Sequence, residues 1–483
     1  MKINLTSSGL NKWSLFVLYL LMVVFMIFRG VKDFNNPYNL SFQLGEFIAR
    51  DSGDTHSYID QIEDYIQTGE YNVGSVEDKA VGRGPYYGVY YFLFRLFLSV
   101  PKALDALAIL QILWYALAIV LLMLIVEPYV KHKVWVWIIP CCVFFLQTGV
   151  TFLPRILTDP IATSQLICFA YFYVRFNKNG NLWSLGWAAL FLAMASVMKP
   201  YLLSIYALCF FDWAIANKVL DFKKLAVYVG VMSLPLVVIC LPFTIRNAAK
   251  LHTFAPMQNT TYAGGKQDPV NAAMRNMVRA WGEDHTEWGG LGTFFMPAEG
   301  CSYKKDLPSH IYTDEYNKED LYVLAEKCQN YEKMSPCQER DSIGIMLIET
   351  MTRYRNAYIT EHPLWRVRAS YKQMSFLIRP SSLQFNQRHS GIRHYISNGL
   401  VLLSWGLGWL LLVGGAIGLL LIVVYIKDLR FMVWITLYIV LFFSLLLGGE
   451  SRYFLIGEWF NAIGLVVFLD RCSNIIMCKK RNK

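Results

Sequence analysis

Residues 85–126 read PYYGVYYFLFRLFLSVPKALDALAILQILWYALAIVLLMLIV. Two kinds of segment stand side by side in this stretch. Residues 104–126 form an apolar run of the length, about 17 to 25 residues, that crosses a bilayer as a helix. Residues 85–100 are apolar too, but short, and they contain Arg95. They read as a helix lying in the outer membrane interface, aromatic side down. The choice decides the topology, because a span at 85–100 would move every later loop to the opposite side of the membrane.

Outward from this stretch the same pattern repeats. Ten apolar runs of spanning length lie at about 13–29, 104–126, 133–150, 157–176, 183–199, 201–217, 225–244, 397–425, 431–448 and 455–470. The first lacks a small-residue cleavage site and is too long for a removed signal peptide, so it reads as a span. Composition agrees. Of 483 residues, 55% are hydrophobic and 17% charged, and the mean hydropathy is +0.35. Soluble domains carry about 25% charged residues, so a soluble globular enzyme and a disordered chain are both excluded. The fold class is an all-α polytopic membrane protein of about ten transmembrane helices, with an outer-facing, mainly α mixed domain in its long loop.

The net charge of +10 is what a membrane protein with basic cytoplasmic loops shows, so it does not point to nucleic acid. With the start of the chain inside, the inner loops hold Lys131 and Lys133, Arg175 and Lys178, Lys218, Lys223 and Lys224, Lys427 and Arg430, and a basic tail from Arg471 to Lys483. Both termini are therefore expected in the cytoplasm. Residues 1–245 form an N-terminal membrane module with a first outer loop at 30–84, residues 246–396 an outer domain, and 397–483 the last spans and the tail. In that domain, residues 353–394 set eight Lys and Arg against Glu361 alone. Such a patch suits an anionic ligand or anionic headgroups. Cys301, Cys328 and Cys337 face the oxidising side, where three thiols allow one disulfide and one leftover.

Chemistry-bearing residues gather at the outer ends. The first outer loop holds Asp51-Ser-Gly-Asp54-Thr-His56-Ser-Tyr58, then Gly69-Glu70-Tyr71 and Arg83-Gly84-Pro85. A carboxylate just outside a span is placed to take a proton from a substrate hydroxyl; it is also ordinary in a solvated loop. Thr158-Asp159-Pro160 opens a run on the outer side, where an acid also favours the helix dipole. Lys199-Pro200 lies between two runs, as a site or as a tight turn. Pro242-Phe-Thr-Ile-Arg246-Asn247 ends a run with an outer arginine, against the positive-inside bias. Either an anionic partner holds that arginine there or it snorkels to the interface. Glu450-Ser451-Arg452-Tyr453 opens the last outer turn, as a site or as a plain ion pair.

Taken in order, these motifs resemble the GT-C superfamily of membrane glycosyltransferases, and within it the protein-mannosyltransferase and aminoarabinose-transferase branches. The resemblance runs from about residue 54 to 264 and again over 450–453. It implies a catalytic Asp in the first outer loop with an aromatic four residues later, which places the roles on Asp54 and Tyr58, with Asp51 as the second choice. Thr55 stands where the mannosyltransferase branch often has Glu, and the Pro residues that usually follow the final Arg-Tyr are absent. The resemblance further implies a sugar donor on a polyprenyl phosphate. Its phosphate would be held by Arg246, Arg452, Arg83 and Lys199, supported by Asp159, Asn247 and Tyr453. The acceptor is a glycan, a lipid or a protein, with O-antigen or lipopolysaccharide as the leading expectation, and the active site faces the periplasm of a bacterial inner membrane. Membrane lipids are partners and nucleic acid is not. No cofactor is implied and no metal-ligand spacing stands out, while a divalent metal stays an open alternative. Two other functions fit the layout: a cell-envelope polysaccharide polymerase or ligase, and a lipid-linked glycan flippase or transporter. The latter would place ionisable groups near the bilayer midplane, whereas here the spans read as nearly charge-free.

Overall fold

The computed structural model describes residues 10–71, 84–147, 149–216, 221–257, 269–283, 290–297, 303, 305–335, 337–378, 392–446 and 451–481. The chain forms two compact units. One is Met1–Gly264 with Pro380–Ile439 and Arg452–Lys483, and the other is Gly265–Arg379 with Val440–Ser451. Among the described residues regular structure is helical throughout, and β pairing is limited to isolated bridges.

In the first unit the described residues of the apolar runs are largely helical. The helices are α1 (Lys12–Phe34), α2 (His56–Thr68), α3 (Gly88–Arg95), α4 (Val100–Val126), α5 (Ile138–Cys141, within a helical stretch Lys133–Leu146), α6 (Thr158–Asn179), α7 (Leu182–Met198), α8 (Ser204–Ala216) and α9 (Phe222–Leu251). Among the described residues six segments are long and apolar enough to cross a membrane: Lys12–Phe34, Val100–Tyr129, Phe222–Leu251, Asn398–Tyr425, Lys427–Leu445 and Leu455–Cys478. The segments Lys133–Leu146, Leu182–Met198 and Pro200–Ile215 are shorter apolar helices. The protein is thus an all-α polytopic membrane protein.

The helix α6 explains itself by position. Every residue from Thr158 to Ala170 is buried, and the helix packs against α4 and α7. It therefore tolerates Ser164 and Gln165, whose side chains donate to the Pro160 carbonyl (2.8 Å) and the Tyr90 hydroxyl (2.9 Å). The Ser164 bond stays within its own helix, whereas a Gln facing lipid would lack a partner such as Tyr90. On α9, by contrast, Leu234, Val237, Val238, Leu241 and Ile245 are exposed, which is the face a lipid-contacting helix presents.

The segment 85–100 is not a span. Only the eight residues of α3 are helical there, about 12 Å of rise, too little to cross a bilayer. The arginine in this apolar run is explained by α2: Arg95 Nε lies 2.9 Å from Glu63 Oε1, and the Tyr91 hydroxyl donates to the same oxygen at 2.6 Å.

The spans are nearly, but not wholly, free of charge. Asp105 is 2% exposed inside α4. Its carboxylate accepts four backbone N–H groups, from Glu46 (2.7 Å), Phe47 (3.2 Å), Ile48 (3.1 Å) and Ala49 (2.8 Å). This buried charge is stable because successive amides form a nest around it. Gly45 completes the nest, since a Cβ there would sit 2.0 Å from Asp105 Oδ1. One turn and a half further along α4, Gln111 donates to the carbonyls of Leu153 and Arg155, both at 2.9 Å. Two side chains of a single span therefore hold two loops. Asp212 of α8 is likewise buried, 2.9 Å from Arg430.

The second unit and the end of the chain add α10 (Pro269–Ala280), α11 (Gly292–Phe295), α12 (Lys318–Lys333), α13 (Gln338–Glu361), α14 (Trp365–Leu377), α15 (Ile392–Tyr425), α16 (Arg430–Leu445) and α17 (Leu455–Arg481). The second unit has its own core around Trp281, Phe295, Tyr316, Leu347 and Met351. Within it the Trp281 indole donates to the Tyr316 hydroxyl at 2.8 Å. Cys328 is buried in that core and Cys337 is exposed, both as free thiols, while Cys301 lies outside the described residues. In the first unit α15 meets α17 backbone to backbone: a Cβ on Gly418 would fall 1.7 Å from the Gly464 carbonyl oxygen.

Candidate active site

The first loop is sewn to the segment that precedes α6. Arg50 donates its N–H to the Pro154 carbonyl (2.8 Å), and Ile156 donates to the Arg50 carbonyl (3.1 Å). Ser52 and Thr55 hydroxyls both donate to the Ile156 carbonyl, at 3.1 and 3.3 Å. These bonds set the two carboxylates of the loop. Asp51 accepts from the backbone of Ser52 (2.6 Å) and of Gly53 (3.0 Å), whose φ of 76° a glycine adopts without strain. Asp54 is half-buried just before α2, and its carbonyl accepts from the hydroxyl and the N–H of Ser57.

Next to this loop lies a chain of polar contacts. Tyr58, in the first turn of α2, places its hydroxyl 3.4 Å from Thr158 Oγ1 and its ring 5.0 Å from that of Tyr87. The following residue, Asp159, is ion-paired to Lys199 at 2.9 Å, with side-chain exposures of 3% and 13%. The Lys199 ammonium also lies 5.4 Å from the centre of the Tyr453 ring. Asp159, Thr163, Lys199, Tyr201, Tyr453 and Ile456 line a small cleft. Five of the expected residues, Asp54, Tyr58, Asp159, Lys199 and Tyr453, thus belong to one continuous region, with Asp51 beside them.

Arg246 is placed differently. Its guanidinium donates to Asn247 Oδ1 (2.9 Å) and to the Tyr71 carbonyl (2.6 Å). Asn247, fully buried, donates to the Ala255 carbonyl at 2.8 Å. Phe243 packs edge-on against Tyr71 and Tyr86, and the Tyr86 hydroxyl donates to the Pro256 carbonyl at 2.6 Å. Burial pushes the Tyr71 hydroxyl far up from its ordinary pKa, with Arg246 opposing it, so it stays a neutral donor, bonded to Gln61 Oε1 at 3.1 Å. The Pro242–Asn247 motif, with Ala255 and Pro256 beyond it, is therefore a clasp between the end of α9 and the end of the first loop. Arg246 stands at the C-terminal end of α2, whereas Tyr58 and Asp159 meet at its N-terminal end; the helix is 13 residues long, about 20 Å. Tyr86 and Tyr87, adjacent in the chain, connect the two places.

Arg83 and Glu450 lie outside the described residues, as does the side chain of Arg452, which falls in the short turn Ser451–Phe454. Among the described residues no three His, Cys, Asp or Glu side chains group as they would around a metal ion. The positioning residues that sequence reading missed are Asp105, Gln111 and Glu63. An Asp inside an apolar run is a visible signal for the first of these, because a charge in a span needs a partner.

Comparison with known proteins follows this geometry. Residues 47–255 match the family model described as ALG3 protein. The match contains Asp51, Asp54, Tyr58, Asp159, Lys199 and Arg246. Over that stretch the resemblance to the GT-C superfamily of membrane glycosyltransferases, read above from the order of the motifs, is recovered independently. Solved structures similar to the chain include ArnT from Cupriavidus metallidurans in the apo state, at 10% identity over 95% of this chain and 77% of that one, with a TM-score of 0.37. The same protein bound to undecaprenyl phosphate matches at 9% identity over 95% of this chain and 78% of that one, with a TM-score of 0.36. Among curated proteins none matches the chain.

Proposed function

We propose that this protein is a glycosyltransferase that moves a sugar from a polyprenyl-phosphate donor to an acceptor hydroxyl at the outer, periplasmic face of a bacterial inner membrane. The observation that supports it most is the family match over 47–255, which falls on the loop and helices that join Asp54 to the Asp159–Lys199 pair. A lipid-borne donor fits a site at the end of a helix bundle. Its tail stays in the bilayer, while the sugar and phosphate meet water.

In this reading Asp54 accepts the proton of the acceptor hydroxyl as the oxygen attacks the anomeric carbon. The new C–O bond forms as the bond from that carbon to the phosphate oxygen breaks, and the lipid phosphate leaves with the electron pair. Its developing charge is met by cations, Lys199 beside the first loop and Arg83 and Arg452 as further candidates, while Arg246, at the other end of α2, holds the clasp with Tyr71. Asp159 orients Lys199, Asn247 orients Arg246, and Tyr58 and Tyr453 shape the walls. Asp51 holds the turn beside the base. The segment 85–100 borders the donor lipid, and the acceptor is a cell-surface glycan such as O-antigen.

The test is sugar transfer in membranes containing wild-type protein or Asp54→Asn, read by mass analysis of surface glycans. Loss of transfer of at least about 100-fold, with unchanged membrane insertion, is the expected result. Undiminished transfer by the variant ends the assignment of Asp54, and surface glycans identical with and without the protein end the assignment of the activity.

A further inference from the structure

The basic segment 353–394 has no part in the proposed mechanism, and its helix α14 also carries apolar side chains turned to solvent. Leu364, Val367 and Tyr371 are 73%, 67% and 65% exposed. Leu364 stands at the head of the helix, where its carbonyl accepts the Arg368 N–H at 3.1 Å. Residues three and four apart share one helix face, so the three side chains form a single apolar row.

The other side of α14 is committed to the second unit. Ala369, Gln373 and Leu377 are buried, and the helix packs against α10. A Cβ on Gly282, in the turn after α10, would lie 3.1 Å from the Ala369 Cα. Glu283, the next residue, is ion-paired to Lys372. These contacts fix the rotation of α14 about its axis and hold the row outward.

The charge of the helix says what the row meets. α14 carries Arg366, Arg368 and Lys372 and no acid, and the exposed Arg366 and Arg368 stand on either side of Val367 in the chain. Apolar side chains bordered by Arg suit a bilayer surface. Rings and aliphatic groups enter the headgroup boundary, while the guanidinium groups stay level with the phosphates. Chain order keeps such a surface near. Leu377 ends α14 and Ile392 opens α15, which holds the span Asn398–Tyr425, so at most about 50 Å of extended chain lies between them. A stable protein partner needs roughly 800 Å² from each side, more than three side chains offer. A tethered helix can use a smaller face, because its encounter with the bilayer is intramolecular.

We propose that α14 is a membrane-docking helix of the second unit. Leu364, Val367 and Tyr371 enter the surface of the bilayer that holds the protein, and Arg366 and Arg368 engage its anionic phospholipid headgroups. The inference requires only that the chain is embedded in a membrane and assumes nothing about the reaction.

The test is photocrosslinking of the full-length protein with Tyr371→p-benzoyl-phenylalanine. It is reconstituted in nanodiscs of dioleoyl phosphatidylcholine alone, or of equal parts dioleoyl phosphatidylcholine and dioleoyl phosphatidylglycerol. Mass spectrometry of the peptide containing residue 371 identifies what the probe has captured. Phospholipid adducts are expected, in higher yield with phosphatidylglycerol present. Arg366→Gln together with Arg368→Gln is expected to lower that yield about fivefold or more. Equal yield in both membranes, or a yield unmoved by loss of the two arginines, overturns the anionic-headgroup assignment. Capture of a second copy, capture of another part of the same chain in place of lipid, or no adduct at all overturns the docking helix. Should the probe at 371 prevent folding, Val367→p-benzoyl-phenylalanine decides by the same readout.

Discussion

Lys199 Nζ lies 2.9 Å from Asp159 Oδ1, with both side chains shielded from solvent. The pair joins the end of α7 to the first turn of α6, and each partner compensates the buried charge of the other. Lys199→Met removes the cation that Asp159 is paired with and is expected to cost about 3 kcal/mol of stability. The double variant Lys199→Met with Asp159→Leu is expected to recover much of that loss while transfer stays absent. Thermal midpoints of the two single variants and the double variant in detergent check the coupling.

The nest around Asp105 has no substitute. Asp105→Ala strands four buried or half-buried amides and is expected to destabilise the protein by about 2 kcal/mol or more, charge-assisted bonds being worth about 1.5 to 3 kcal/mol each. The loop at 44–55 should loosen first, because its N–H groups are the ones released. Hydrogen exchange of residues 46–49 is the measurement, with accelerated exchange there and little change in α15 as the expected pattern.

Close backbone contact between α15 and α17 depends on the absence of side chains at Gly418 and Gly464. Gly418→Val places a branched side chain where the Gly464 carbonyl already stands. Loss of monodisperse protein on size-exclusion chromatography is expected. A normal elution profile would show that the two helices can separate without cost.

His310 in the second unit predicts a pH effect. Its ring accepts neutrality because burial, Lys372 and Arg368 all lower its pKa below the ordinary 6.5, while Glu283, 2.9 Å away, opposes them. Between the two pKa values the unfolded chain binds more protons than the fold, so stability is complete above about pH 6.5 and declines as pH falls below it. Thermal midpoints at pH 7.5 and 5.5 should therefore differ less in His310→Gln than in wild type.

The apolar helices were legible because lipid demands continuous apolar length, and that demand is written residue by residue. The status of 85–100 was legible for the same reason in reverse: its shortness and Arg95 already argued against a span. The partner of Arg95 was not, since Glu63 comes from another helix with 31 residues between them. The candidate site was legible in part. Asp54, Tyr58, Asp159 and Lys199 stood out by type and order, while Arg246 was expected to meet an anionic partner or to snorkel, and its guanidinium donates to the Tyr71 carbonyl. Hydrogen bonds to backbone carbonyls leave no mark on the sequence of the acceptor, because every residue has one.

By itself the sequence determined an all-helical membrane chain, its charge asymmetry and the order of its outer motifs. Composition and apolar run length are local properties, and they act before any segment meets another. Tertiary structure alone decided that Asp105 and Gln111 hold the first loop against the start of α6, that Lys199 is neutralised by Asp159, and that Arg50 stands beside Arg155 and Asp33. The reason is electrostatic. The energy of a charge depends on what stands within a few ångströms of it, and for these residues that neighbourhood comes from segments far apart in the chain.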